Sequence, residues 1–190
     1  MSSTAIVSSN GNEEKQLIVS SPYPNHLLDV TRLDKSAHEV AVVLQNLRPN
    51  EGYLDLPYEQ AFNWSDVFSN LSNNFEAANF YVVVFRSQLA VSSVGSPILI
   101  ELYSLDEQAH CEANKSGGLL KYWFGTPSGD RRNLATCIWT GRDCALKAYG
   151  LPAHAKAMKI VCNGVYEHWI IEKFNLSIQD CNHWTFNKSK

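Results

Sequence analysis

Residues 116–139, SGGLLKYWFGTPSGDRRNLATCIW, set two short apolar runs on either side of a loop rich in Gly, Pro, Ser and Asp. That is the pattern of a β-hairpin with a long connection. Strict alternation assigns Leu120, Tyr122 and Phe124 to one face of the first strand, and Leu119, Lys121 and Trp123 to the other. On the second strand Leu134, Thr136 and Ile138 oppose Ala135, Cys137 and Trp139. A sheet with one wet face is polar on that side, and neither side here is. The pattern therefore predicts a sheet covered on both faces.

The flanking segments give that sheet a topology. NFYVVVFRSQL (79–89) is β-branched and aromatic on both faces, which suits a central strand. SPILIELYSLDEQAHCEANKSGG (96–118) reads as a helix. Ser96 stands at its N-cap, Pro97 at its first position, Leu99, Leu102, Leu105 and Ala109 form its stripe, and Gly117-Gly118 stops it. After the hairpin, Thr140-x-x-Asp143 matches a capping box and opens the helix GRDCALKAYG. Gly150-Leu151-Pro152 interrupts it, AHAKAMKIVC resumes it, and VYEHWIIEKFNLSI (165–178) is the last strand. The order β-α-β-β-α-β is the ferredoxin-like arrangement, an α+β fold. Right-handed crossovers put the helices of 96–118 and 140–162 on one face of an antiparallel sheet. Each large side chain left wet on the other face forgoes about 1.5–3 kcal/mol. Two covers are available: a second subunit packed sheet to sheet, or the aromatic region 53–75.

The first third of the chain is less regular. Residues 1–20 are rich in Ser, Asn and Glu and read as a disordered tail. NHLLDVTRL (25–33) reads as a short strand or extended arm, and DKSAHEVAVVLQNL as a helix capped by Ser36. YEQAFNWSDVFSNL suggests a second helical or irregular aromatic layer capped by Asn63 or Ser65. The expected organisation is a tail (1–20), an extension packed on the main domain (21–78), a ferredoxin-like domain (79–178), and a C-terminal tail (179–190) without periodicity.

Composition narrows the function classes. The chain of 190 residues is 45% hydrophobic and 11% aromatic, enough for one cored domain. Its net charge is −3 and it has no Lys/Arg run, so the footprint of a nucleic-acid binder is missing. RNA-recognition domains share the β-α-β-β-α-β order, but RNLATCIW lacks their basic-Gly-aromatic-Gly signature. No basic start followed by an apolar core appears, nor a stretch long enough to span a membrane, so a cytoplasmic or also nuclear location is expected. Five cysteines without a C-x-x-C pair fit reduced, mostly buried thiols. The N-x-[ST] triplets read as chance matches.

The segments YWFGTPSGDRRNLATCIW, LPAHAKAM and YEHWIIEKF together resemble the dimeric α/β-barrel superfamily, which includes the antibiotic-biosynthesis-monooxygenase and stress-responsive barrel groups. YEQAFNWSDVF, SGGLLKYWFG and RNLATCIW more closely resemble an uncharacterised fungal protein family, over residues 25–178. The superfamily resemblance implies a homodimer with facing sheets and a helix–sheet cleft that takes small hydrophobic ligands. It also implies monooxygenase-like chemistry, either cofactor-free or with haem, though nothing in the sequence requires haem.

Three histidines are the candidate catalytic groups. His154 shares a helix face with Met158 and Val161 and would serve as a base or a ligand in the cleft; the alternative is a packing histidine. His110 stands one turn after Asp106, so the pair either orients an imidazole or is ordinary surface pairing. His168, on the last strand, points either to the aromatic surface or to the dimer contact. Tyr122, Trp123, Trp139, Trp169 and Met158 are candidates to line a pocket for a flat ligand, with core and interface as the competing role. Arg86, Arg131 and Arg132 are candidate anion ligands. Cys181-x-His183 lacks a second pair at zinc spacing, so no metal site is expected.

Overall fold

The computed structural model describes residues 15–189; residues 1–14 of the expected disordered tail lie outside them, and its last residues are ordered, with Leu17–Val19 in a strand and Ser20 buried. β1 (Leu17–Val19) and β2 (Leu27–Asp29) form a small antiparallel ribbon. Asp34 caps α1 (Lys35–Val43), its carboxylate accepting the Ala37 N–H at 2.8 Å. The expected cap, Ser36, lies inside the helix, and its hydroxyl donates to the Glu76 carbonyl at 2.8 Å. Asp wins because it stands one residue outside the first turn, in extended backbone, where a cap belongs. α2 (Trp64–Phe68) is a single short turn of helix at the centre of the aromatic segment.

The main sheet is built from β3 (Ala78–Leu89), β4 (Leu119–Phe124), β5 (Arg132–Trp139), β6 (Tyr166–Ile178) and β7 (Trp184–Lys188). Its order is β4-β5-β3-β6-β7, antiparallel throughout. Between the strands run α3 (Pro97–Ser116), α4 (Arg142–Tyr149) and α5 (Pro152–Ile160). Strands β3 to β6 with these helices are the ferredoxin-like unit. β7 is an added edge strand from the expected C-terminal tail, and it turns Trp184 and Phe186 onto the N-terminal cover. It pairs with Phe174–Ile178 alone, so the first half of β6 has no neighbour on its outer side among the described residues. Trp169, Ile170 and Ile171 are exposed there.

The helices cover one face of the sheet, meeting Tyr81, Val83 and Phe85 of β3. The other face is covered by the chain's own N-terminal third. Phe80, Val82, Val84, Leu134, Ile138, Phe174 and Leu176 are buried against α1 and the aromatic segment. Tyr58 sits at the centre, 1% exposed, its ring stacked on Phe174 at 5.3 Å and its hydroxyl 2.8 Å from Thr136 Oγ1. Trp64 donates its indole N–H to the Tyr58 carbonyl. Of the two expected covers, this structure uses residues 53–75 with α1. Arg86 ties that cover down. Its guanidinium donates to the carbonyls of Leu54 and Leu56 at 3.0 and 2.8 Å, and to Glu172 at 2.8 Å. The arginine considered as an anion ligand is thus fully committed. Arg131 is likewise bonded to the Leu89 carbonyl and Glu167, and Arg132 to Asp55 and Asp130.

One bulge changes the facing of the hairpin. The β4–β5 register shifts between Leu119 and Lys121, so Leu120 and Lys121 both turn toward the N-terminal cover. Leu120 joins its core, and Lys121 Nζ donates to Gln45 Oε1 at 3.1 Å. Leu120 therefore does not share a face with Tyr122, as strict alternation had it.

Candidate functional site

A cavity of about 720 Å³ lies between the helix-covered face and helices α3 and α5. Close-packed interiors leave few voids larger than a water molecule, so this space needs a cause. The cause is small side chains at facing positions: Ala109 on α3, Ala135 on β5 and Ala157 on α5 all line it. Val83, Phe85, Leu102 and Met158 complete an apolar wall.

Polar groups gather at one side. The segment before β2 runs along the edge of β4, where Tyr122 N–H donates to the Ser20 carbonyl at 2.7 Å. This places Tyr23 over the cleft, with its hydroxyl donating to Asp106 Oδ2 at 2.7 Å. Tyr122 donates to the same carboxylate at 2.9 Å. Burial first, and the Asp106 charge after it, hold both phenols well above their usual range, so they remain donors.

His110 stacks on Tyr122, with ring centroids 3.4 Å apart and planes 6° from parallel. Its Nδ1 is 2.8 Å from the Asp106 backbone carbonyl and 3.5 Å from Asp106 Oδ1. A carbonyl only accepts, so Nδ1 carries the proton and Nε2 presents a lone pair. That lone pair meets Cys137 Sγ at 3.5 Å. Burial lowers the imidazole pKa against the opposing pull of Asp106, and His110 is neutral at pH 7. Burial also raises the Cys137 thiol, with Asp106 adding to the effect.

His154 enters the cavity from the first turn of α5, beside Tyr149 at 5.0 Å between rings. Its Nδ1 is buried and has no hydrogen-bond partner among the described residues. Burial, then the neighbouring His110, keep this ring neutral as well. Buried polar atoms are almost always satisfied, so this unpartnered nitrogen is a rare exception.

Four of the eight residues singled out from the sequence line this cavity: His110, Tyr122, His154 and Met158. His168 is exposed on β6, on the opposite face of the sheet. Trp123 packs against Tyr53 and Phe62 in the N-terminal cover. Trp139 is buried beneath α4, and Trp169 stacks on Phe85 from the open edge of β6. Sequence reasoning passed over Tyr23 and Cys137. The β5 alternation that pairs Cys137 with Ala135 and Trp139 already carried the signal for the thiol. Tyr23 left none, because its partner stands 83 residues away.

Asp106 and Glu107 are the charged residues that line the cleft, and no Lys or Arg joins them among the described residues. That charge disfavours an anionic ligand and does not fit haem, whose two propionates need cations or water beside them. No cluster of His, Cys, Asp and Glu among the described residues is arranged to hold a metal ion, and no described helix is long and apolar enough to cross a membrane.

A family model described as PB2B2.08-like matches residues 19–188. The chain is 34% identical over 178 residues to the UPF0643 protein PB2B2.08 of Schizosaccharomyces pombe, spanning 87% of this chain and 80% of that one. Two solved structures are similar over half of the chain. Rv0793 from Mycobacterium tuberculosis matches at 10% identity, over 50% of this chain and 91% of that one, with a TM-score of 0.41. A mutant of SnoaB, a cofactor-independent oxygenase from Streptomyces nogalater, matches at 14% identity, over 50% and 90%, with a TM-score of 0.40. Likeness at this level adds nothing to what the strand order already gives.

Proposed function

Because the chain belongs to the PB2B2.08-like family over a span that holds every cleft residue, we propose that it binds a small, flat, uncharged molecule bearing one hydrogen-bonding oxygen in the helix–sheet cleft, and acts on it by proton transfer. One observation carries this reading: an apolar cavity of about 720 Å³ lined on one side by the neutral imidazole of His154. A neutral imidazole in a dry site accepts a proton from a phenol or enol, and the resulting anion is the electron-rich species from which monooxygenase-like turnover starts. The competing reading is a non-catalytic module whose aromatic sheet face is a dimer interface. It finds that face filled by the chain's own Tyr58, Phe62 and Trp64.

The test is calorimetric titration with 2-naphthol and with naphthalene. The expected result is binding of both, tighter for 2-naphthol, with the difference removed by His154→Leu and all binding removed by Ala135→Trp, which fills the cavity. Failure of 2-naphthol to bind, or binding indifferent to Ala135→Trp, would overturn the reading.

A further inference from the structure

Cys137, His110 and Asp106 form a linked series in the cleft wall that ligand binding alone does not require. We propose that the Cys137 thiol is a nucleophile that adds to apolar α,β-unsaturated carbonyl compounds held in the cleft, with His110 as its base. This rests on the binding role proposed above and names a substrate class for it.

The geometry is that of a nucleophile–base–orienter series. His110 Nε2 faces the thiol at 3.5 Å with its lone pair free, because Nδ1–H is fixed on the Asp106 carbonyl. The Asp106 carboxylate, 3.5 Å from Nδ1, stabilises the imidazolium that forms when the thiol proton arrives. Tyr23 and Tyr122 hold that carboxylate in place, and the parallel Tyr122 ring fixes the imidazole plane. In the resting state both partners are neutral, so the thiol reacts by giving up its proton as it attacks rather than as a standing thiolate.

The surroundings of Cys137 select the reaction. Acyl transfer needs backbone N–H groups aimed at an oxyanion beside the attacked carbon. Cys137 lies in a strand paired on both sides, opposite Val83 of β3 and Tyr122 of β4, which leaves no such donors. Conjugate addition puts the developing charge on an oxygen three bonds beyond the attacked carbon. The Cys137 S–H bond breaks, its proton passes to His110 Nε2, and sulfur bonds to the β-carbon. The alkene pair moves to form the enolate, and the proton returns from His110 to the α-carbon. The product is a saturated carbonyl thioether, and no oxidant or other co-reactant enters. His154 lines the same cavity, and its neutral imidazole donates to the carbonyl oxygen in the tautomer whose N–H faces the ligand.

The experiment treats the full chain with benzylideneacetone and follows each cysteine by peptide mass mapping, with exposed Cys162 as the internal reference. Cys137 is expected to react faster than Cys162 at pH 7, to be protected by excess 2-naphthol, and to slow by about 10²-fold or more in His110→Gln while Cys162 does not change. In the wild-type chain its rate is expected to level off above the imidazole pKa, whereas a thiol with no base beside it reacts roughly tenfold faster per pH unit over the same range. This profile decides the question even if His110→Gln does not fold. A Cys137 that stays unmodified while Cys162 reacts, or one that follows the pH profile of a thiol with no base beside it, overturns the proposal. If 2-naphthol binds and Cys137 stays inert, only the thiol's role is lost; if 2-naphthol does not bind, the cleft reading itself fails.

Discussion

Tyr23, in the N-terminal arm, donates its phenol to Asp106, in the middle of α3, at 2.7 Å across 83 residues of sequence. This contact closes one side of the cleft and supplies one of the two phenols held by the carboxylate. Tyr23→Phe removes one charge-assisted hydrogen bond and leaves Tyr122 to serve Asp106. The expected loss is about 1–2 kcal/mol of stability, read as a lower urea midpoint. The arm also loosens, so 2-naphthol should dissociate faster from this variant.

Acid should weaken the protein earlier than its surface carboxylates alone dictate. His26, His110 and His154 are each held below 6.5, by burial first. Asp106 pulls the other way at all three, joined by Glu107 at His26, but neither reverses the shift. The unfolded chain therefore binds more protons than the folded one near and below pH 6.5, so stability is full above that pH and is lost as pH falls toward the folded-state values. Urea midpoints should drop between pH 7.5 and pH 5.5. An unchanged midpoint over that interval contradicts the buried, neutral state of these rings.

Arg86→Met tests how the N-terminal cover is fastened. The substitution strands two backbone carbonyls, Leu54 and Leu56, and leaves Glu172 with only Lys188, at 3.6 Å. Breaking a largely buried pair from one side costs about 3 kcal/mol. Hydrogen exchange should rise first in residues 53–60, before the central strands are affected.

Gly118→Ala should be costly at a position that looks like ordinary turn sequence. Gly118 has φ +85°, and a Cβ there would stand 2.5 Å from Cys144 Sγ. Strain and clash together cost about 1–3 kcal/mol, and a thermal melt should show it. Gly129, which has open space around its Cβ position, is the control and should tolerate alanine.

The order of strands and helices was legible because each element carries its own period. Pro97 and Gly117 mark the ends of α3, and the β-branched run of β3 cannot be mistaken for anything else. What was not legible has physical causes. The bulge at Leu120–Lys121 adds one residue to β4, and alternation has no way to announce an insertion. β7 alternates, with Trp184 and Phe186 inward and Thr185 and Asn187 exposed, but five residues are too few to mark a strand in the sequence. The Asp106–His110 pair was readable as an i,i+4 spacing on one helix. Its conversion into a buried hub by Tyr23, Tyr122 and Cys137 depends on contacts between distant segments, which no local pattern encodes.

The N-terminal cover travels with the sheet it covers. Facing sheets on separate chains associate at a rate and to an extent set by protein concentration. Here the apolar layer that fills the sheet is joined to β3 by the short connection between Leu71 and Ala78. A tether this short holds its cargo at an effective concentration on the order of millimolar. Closure of the second face is therefore a unimolecular event. Diluting the protein a hundredfold should leave its unfolding midpoint where it was, whereas a chain cleaved in that connection should acquire a midpoint that falls with dilution.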